Sequence, residues 1–508
     1  MNIAQNLERS SLYFPDRPVI CEGTKEITYA QLNENANRAA TALARLGVAA
    51  GDHVGLCAPN SADWLIVYFG CLKAGAVAVT LPSLAKSDEL QSLVSLTGPK
   101  VLFTSEEKLG EFGNLRSPGV LDHIIGKGCE LEMKALLEMG TGSFQAVSRD
   151  RSDTAAILFT GGTTGIPKGV MLSHENINTA IHNVVFNERS NERDRALCFL
   201  PFHHVFGQMH IMNATILSGG ALELLPAFDQ DRVVEAMSTG RVTKLYCVPT
   251  IYIRLLGLTG LKEKLGSVRY CFSAAASMAS EVVRQWQEKT GLAIHEAYGM
   301  TESASMVTFN HYNRHVVGSV GTPVGTVEVQ IQDLDGNPKP AGEEGEICIR
   351  ARNIMKGYYN APAETEEAFR GEWFRSGDIG VIGDAGHIYI VDRLKDMIIT
   401  GGENVYPREI EELLYTRPEV QECAIIGLRD KEWGERVTAI VTTKPGQSLD
   451  ANELKLFLKS RLSPFKVPKE IRMVGEIPKS QAGKLLKREL KRQIEESSPA
   501  PDANLATD

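Results

Sequence analysis

The chain reads as α/β. A large N-terminal domain holds two covered α/β sheets plus a small β-barrel, and a small α+β domain follows it. Three observations predict this. Up to about residue 320, short apolar runs alternate with helix-like segments, which is the texture of a parallel sheet with helical crossovers. From 321 to 392, short alternating strands and Gly turns replace them, which indicates antiparallel β, a small barrel or meander. From 393 to 495, helices and strands mix again in a compact unit.

The elements follow in order. The spacing predicts a helix over 28–46: Thr28 and Gln31 form a capping box, Leu32, Ala36, Ala39, Leu43 and Leu46 share a face, and Gly47 stops it. A strand follows at His53–Cys57, then a helix capped near Asn60 or Ser61, then a strand at Ala76–Leu81. Trp64 to Pro82 is the most apolar window, but Lys73 lies at its centre and Gly75 just beyond. Helix, Gly stop and buried strand fit it better than a membrane span. Apolar strands recur at Ala155–Thr160, Ala196–Leu200, Lys244–Val248 and Tyr270–Ser273, each with helix-like sequence expected after it. Strands are expected at Val327–Asp333, Gly345–Arg350 and His387–Val391. Pro407 opens a helix with Ile410, Leu413 and Leu414 on one face, and Asp450 with Glu453 caps another. Strands at Glu422–Ile426 and Arg436–Thr443 complete this unit. Residues 496–508 are small, polar and Pro-containing, the composition of a disordered tail.

Composition narrows the function. The 508 residues are 43% apolar and 23% charged, the balance of an ordinary globular protein in several domains. With 54 Lys+Arg against 63 Asp+Glu, the net charge is −9, and no basic field exists to hold a nucleic acid. Nine scattered cysteines include no C-x-x-C pair, so neither a zinc site nor a disulfide framework is expected, and the cytosol is the natural compartment. The N-terminus lacks the basic and apolar runs of a signal peptide. The oligomeric state stays open, a homodimer among the options.

The most informative stretch is Phe159-Thr160-Gly161-Gly162-Thr163-Thr164-Gly165-Ile166-Pro167-Lys168-Gly169, directly after an apolar strand. Glycines let backbone N–H groups approach an anion, threonine hydroxyls donate further bonds, and Lys168 adds charge. A Gly/Thr-rich surface turn is the alternative. The stretch is not the Walker loop, because Pro167 precedes the lysine and Gly169 follows it. It is not the dinucleotide fingerprint either, since G-x-G-x-x-G is absent. Neither G-x-S-x-G nor H-E-x-x-H occurs, which removes the signatures of common serine hydrolases and zinc proteases.

This loop resembles the phosphate loop of the AMP-forming adenylate-forming superfamily: acyl- and aryl-CoA synthetases, luciferases and adenylation domains. Gly161 stands where that family usually has serine. Further segments match in family order across about residues 10–490. Leu200-Pro201-Phe202-His203-His204-Val205-Phe206-Gly207 is similar to the Pro-x-x-His segment, which implies that His204 gates the acyl carboxylate. Ser273-Ala274-Ala275-Ala276-Ser277-Met278 resembles the segment along the adenine and the acyl chain; Ala274 adds a methyl group that narrows the pocket. In Glu296-Ala297-Tyr298-Gly299-Met300-Thr301-Glu302, the resemblance implies that Tyr298 stacks on adenine, Thr301 bonds the α-phosphate and Glu302 holds Mg²⁺. Ser376-Gly377-Asp378 implies that Asp378 accepts the ribose hydroxyls, and Arg393 contacts ribose or phosphate. The resemblance also implies that the small domain is mobile about a hinge at 392–396, where Lys395 falls. Lys479-Ser480-Gln481-Ala482-Gly483-Lys484 implies that Lys484 carries adenylation. Gly401 and Gly402 are expected to line a tunnel for a pantetheine arm, a plain turn being the alternative.

The resemblance implies a ligase that uses ATP, Mg²⁺ and coenzyme A. An acid and ATP give an acyl-adenylate and pyrophosphate; a thiolate then displaces AMP, and the small domain rotates between the steps. Two anions must meet, so cations and oriented donors lower the barrier. Phe206, Met209, His210, Met212, Tyr246, Ala274, Met300 and Met306 are the candidate pocket residues, mostly apolar and adaptable. No cation stands out for a second carboxylate, so an apolar fatty, cyclic or aromatic monocarboxylic acid is expected. A stand-alone adenylation enzyme that loads a carrier protein is the nearest rival. A degenerate acyl- or nucleotide-binding protein is the rival from another class.

Overall fold

The structure, a computed structural model, describes residues 1–112, 115, 121–160, 167–480 and 483–497. Local signals set the helix that follows the strand Lys25–Thr28. The Thr28 hydroxyl accepts the Gln31 N–H at 3.2 Å, and Gln31 Oε1 accepts the Thr28 N–H at 2.9 Å, starting the helix Tyr29–Arg45. Gly47 takes φ +84° just beyond its end. The Ser61 hydroxyl caps Ala62–Lys73, a helix whose residues 64–73 are all buried, Lys73 included. The Lys73 ammonium meets Glu8 Oε1 at 2.6 Å, so the apolar window is a core helix with a paired charge. No helix among the described residues is long and apolar enough to cross a membrane.

Two seven-stranded sheets form the large region. One runs Ile294–Glu296, Tyr270–Ser273, Lys244–Cys247, Arg195–Cys198, Ala221–Leu224, Pro18–Glu22, Lys25–Thr28, parallel except for the last pair. The other runs Gly357–Tyr358, Lys168–Ser173, Thr154–Thr160, Val77–Thr80, His53–Cys57, Val101–Thr104, His123–Ile125. Here one expectation fails. Thr154–Thr160 is followed by an antiparallel return strand, Lys168–Ser173, not by a helix. The return strand buries Val170 and Leu172 at alternate positions, a period of two that continues the sheet.

Glu328–Gln332, Gly345–Arg350 and Trp373–Ile382 form an antiparallel meander, with Phe369–Arg370 and Ile388–Arg393 on the far edge of the long strand. Ile331, Ile347, Phe374 and Ile388 belong to the same continuous core as Leu56 and Phe272, so this sheet is packed onto the large region.

The C-terminal unit has its own cores. Along Val420–Asp430, Cys423 and Ile425 face one side, while Ala424 and Ile426 face the other. Helices Pro407–Tyr415 and Ala451–Lys459 cover the first side with Ile410, Leu414, Leu454 and Leu458. Helix Lys487–Ser497 covers the second with Leu490 and Ile494. Lys484 lies before that last helix, outside it.

Candidate functional site

The site forms where strand ends of the large region meet the C-terminal unit. Asp378 and Arg393 are register partners on adjacent antiparallel strands, so Arg393 Nε reaches Asp378 Oδ1 at 3.2 Å. The Tyr298 hydroxyl donates to the other oxygen of the same carboxylate at 2.6 Å. Asp378 is 5% exposed, while the Arg393 side chain is 40% exposed, so the pair is open to solvent on its cationic side. Tyr298 is held by its neighbours: its N–H donates to the Thr308 hydroxyl, and Gly299 beside it packs directly on the Ser305 carbonyl, where a Cβ would lie 1.8 Å away. Only glycine fits that contact.

Thr301 and Glu302 follow in a short 3-10 turn, Thr301–Ser303. Burial raises the Glu302 carboxyl above its ordinary value, and the Tyr358 hydroxyl donates to its Oε1 at 2.9 Å. Lys168 lies over the Tyr358 ring, 4.8 Å from its centre. Tyr358 thus joins the phosphate-loop lysine to Glu302, a role that its place beside Gly357 did not signal. Thr160 closes the hairpin opposite Lys168. Gly161, Gly162, Thr163, Thr164 and Gly165 lie outside the described residues.

Lys484 completes the cluster from the C-terminal unit. Ser480 and Lys484 exchange bonds across a tight turn, with Gly483 at φ +76°. The Thr250 hydroxyl donates to the Gly483 carbonyl at 3.0 Å, and a Cβ on Gly483 would lie 2.8 Å from Val248. The turn therefore docks on the large region by backbone contact. Burial first, then the charges of Arg393 and Lys395, push the Lys484 ammonium down to about 7, while Asp378 and Asp396 act the other way. Burial and then Lys484 hold the His204 imidazole at about 4, hence neutral. Burial and Arg393 likewise lower Lys395. Lys484, His204, Arg393, Lys395, Asp378, Tyr298 and Glu302 therefore share one electrostatic neighbourhood.

Other expected residues fall elsewhere around this centre. Ala275 takes φ +71° directly after the strand Tyr270–Ser273, a left-handed conformation that costs a non-glycine residue about 1–2 kcal/mol; Ala274 precedes it. Ala297 donates its N–H to the Ser273 carbonyl, joining the two strand ends. Glu296, 4% exposed, has a carboxyl pushed up to about 8 by burial against the opposing Arg408 charge, and its Oε2 has no partner. Met300 and Met306 face each other's strands in the Gly299–Met300 and Ser305–Met306 ladder. Gly401 and Gly402, at φ +60° and +85°, form the two-residue turn between Ile398–Thr400 and Glu403–Val405. The turn alternative thus has a direct conformational reason.

Phe206, Met209, His210 and Met212 share a π-helix, Phe206–Asn213, and all are buried. His210 and Tyr246 belong to a polar cluster that sequence reading missed. Fully buried Glu188 accepts from His210 Nε2 at 2.7 Å, Tyr246 Oη at 2.6 Å and Lys244 Nζ at 3.0 Å. Lys244 is the cation that the sequence did not reveal, but Glu188 and Asp194 already neutralise it.

The donor set bears on the expected metal. Glu302 offers one hard carboxylate, and no group of three or more His, Cys, Asp or Glu side chains among the described residues could hold an ion. That suits Mg²⁺, which takes one or two carboxylates plus substrate phosphates and water, and does not suit a closed zinc site.

Comparison with known proteins agrees with this geometry. The feruloyl-CoA synthase of Amycolatopsis sp is 34% identical over 483 residues, covering 94% of this chain and 96% of that protein. The long-chain-fatty-acid–CoA ligase FadD13 of Mycobacterium tuberculosis is 33% identical over 507 residues, covering 98% and 99%. Among solved structures, ATP-bound MatB from Rhodopseudomonas palustris superposes with a TM-score of 0.91 at 32% identity, covering 97% of this chain and 99% of that one. The apo form of MatB, at the same identity and covering 98% and 99%, gives 0.80. The arrangement seen here is therefore nearer the nucleotide-bound one. Residues 7–359 match the family described as AMP-binding enzyme, and residues 409–484 match its C-terminal domain. The chain belongs to the AMP-binding enzyme family.

Proposed function

We propose that this chain, an adenylate-forming CoA ligase, activates an apolar monocarboxylic acid at the Lys484–Asp378–His204 centre and passes it to coenzyme A. The observation that carries the reading is Lys484, brought from the C-terminal unit into a half-buried position beside Arg393, Asp378 and His204. A cation so placed can bridge two anions that would otherwise repel.

In the first step a carboxylate oxygen of the acid attacks the α-phosphorus of ATP, and the bond to pyrophosphate breaks. Lys484 neutralises the two approaching anions, and Thr301 bonds the α-phosphate. Asp378 and Arg393 hold the ribose, and the Tyr298 ring stacks on the base. The unpartnered Glu296 Oε2 suits an N–H donor of the base. Lys168, aided by Thr160 and the loop 161–165, receives the outer phosphates. Mg²⁺, held by Glu302, supplies charge neutralisation of the phosphates when bound. Neutral His204 gates the carboxylate end of the pocket.

In the second step the coenzyme A thiolate attacks the acyl carbon, and AMP leaves with its electron pair. Lys395 sits between the continuous large core and the separate C-terminal cores, the natural place for a hinge that withdraws Lys484. On this reading the large domain ends near 392 and the small one spans 393–495. Gly401 and Gly402 then face the thiol donor. The nine unpaired thiols favour a reducing, cytosolic setting.

The decisive experiment separates the half-reactions. Lys484→Ala should lose acid-dependent ATP–pyrophosphate exchange by about 10²–10³-fold, the usual weight of one transition-state donor. Thioester formation from supplied acyl-adenylate should persist. Equal loss of both half-reactions would refute the assignment.

A further inference from the structure

We propose that the acid pocket has a fixed floor, made by the rings of Phe206, His210, Tyr246 and Phe272 and pinned by the buried Glu188–Lys244 pair. The enzyme then takes short-chain or single-ring monocarboxylic acids and rejects long-chain and dicarboxylic ones. The inference rests on the ligase reading above and narrows its substrate class.

Three observations support it. The rings close on one another: His210 lies tilted over Phe272 at 4.3 Å between centroids, and Phe206 meets His210 at 5.3 Å and Phe272 at 5.6 Å, both edge-on. Tyr246 closes on His210 at 5.7 Å and on Phe272 at 5.8 Å. All four side chains are 5% exposed or less. A polymethylene chain has no gap to pass between rings at such separations. Phe206 donates its N–H to His204 Nδ1 at 3.2 Å and His210 follows in the same π-helix, so the floor adjoins His204.

The floor is also pinned. His210 uses both ring nitrogens, Nε2 on Glu188 at 2.7 Å and Nδ1 with the Ser305 hydroxyl at 3.0 Å. Tyr246 spends its hydroxyl on Glu188 at 2.6 Å. A ring that turned aside for a longer chain would leave a fully buried carboxylate short of a donor, which is costly. Methionine-lined pockets adapt because thioethers turn freely; this floor has hydrogen-bonded rings where adaptation would be needed.

Its charges are already committed. Lys244 lies 3.0 Å from Glu188 and 3.6 Å from Asp194, and it donates to the Ser190 hydroxyl at 2.6 Å. A second carboxylate at the far end of an acid would be buried near Glu188 with no unpaired cation among these groups to receive it.

The test uses the full chain and four acids: benzoate, hexanoate, dodecanoate and adipate. Acid-dependent ATP–pyrophosphate exchange gives kcat/KM for each. The better of benzoate and hexanoate should exceed dodecanoate by about 100-fold, and adipate should stay at background. Phe206→Ala should move the hexanoate-to-dodecanoate ratio about tenfold toward dodecanoate. Phe272→Ala, on a different element, should move it the same way and covers a folding failure of the first variant. Equal use of dodecanoate and hexanoate by the wild type overturns the floor, as does efficient use of adipate or an unmoved ratio in both variants. Exchange with none of the four acids, in a chain that still binds ATP, overturns the ligase reading and the floor with it.

Discussion

The Tyr298 hydroxyl donates to Asp378 at 2.6 Å while Arg393 approaches the other oxygen of that carboxylate at 3.2 Å, so one acid ties the Tyr298 ring to the cation cluster. Tyr298→Phe keeps the ring and removes one bond to a charged acceptor. Because Arg393 remains, the expected loss is about 1 kcal/mol, a rise of about fivefold in the KM for ATP. Asp378→Asn should cost more, since it also removes the anion that helps keep Lys484 charged. Its alkaline limb of activity should therefore move to lower pH. Exchange kinetics over a pH series check both, and an unmoved limb in Asp378→Asn would contradict the coupling.

Lys484 makes docking itself depend on pH. Free of the large region its amine titrates near the ordinary 10.5; docked, burial and neighbouring cations bring it to about 7. Between those values the undocked form holds more protons, so docking weakens as pH falls from 10.5 to 7 and levels off below. If Lys484 acts as proposed, adenylation needs the ammonium, so kcat/KM for ATP should fall above about pH 7, while kcat, measured with phosphates bound, should hold to higher pH. Lys484→Arg should lack this limb whatever its residual rate, because a guanidinium does not titrate there. An identical limb in the arginine variant would assign it to another group.

Glu188 should prove to be a stability residue of the large region. Burial alone would raise its carboxyl, but Lys244 and His210 outweigh burial and hold it at about 2. Glu188→Ala leaves Lys244 buried with only Asp194 and Ser190 and should cost about 3–5 kcal/mol in chemical denaturation at pH 7. Glu188→Gln keeps the shape and should cost less. The wild-type contribution is full above the ordinary 4.5 and is lost as pH falls through 2. Wild type should therefore lose more stability than Glu188→Gln between pH 6 and pH 3.

Local chemistry explains which parts could be read in advance. Thr28, Gln31 and Gly47 act on neighbours within a few residues, so the helix Tyr29–Arg45 was legible to within two residues at each end. Asp378, Tyr298 and Lys484 were legible because each stands in a short motif of unusual composition. The return strand Lys168–Ser173 was not, since a six-residue run after a glycine-rich loop pairs as strand or continues as helix according to what lies across from it. Glu188 and Lys244 were not, because 56 positions separate two common charged residues and only the fold brings them together. Tyr358 reaches Glu302 across a similar separation.

Gly401 and Gly402 carry two explanations that one substitution series can separate. Both residues have positive φ in a two-residue hairpin, so side chains other than asparagine or aspartate there are strained by about 1–2 kcal/mol. A Cβ on Gly401 would also press the Trp433 ring at 2.8 Å, whereas one on Gly402 meets nothing within 4 Å. Gly402 is therefore the cleaner probe. Asparagine tolerates the left-handed region and leucine does not. If the glycine serves only the turn, Gly402→Asn should keep both half-reactions and the stability of the C-terminal unit, while Gly402→Leu should lower stability alone. If a pantetheine arm passes over it, Gly402→Asn should slow thioester formation from supplied acyl-adenylate, although the hairpin is intact and adenylation is unchanged. The second outcome is expected, because both glycines are exposed and the open space beside Gly402 is room that folding alone does not require. Full thioester rates in Gly402→Asn would reduce the pair to a turn.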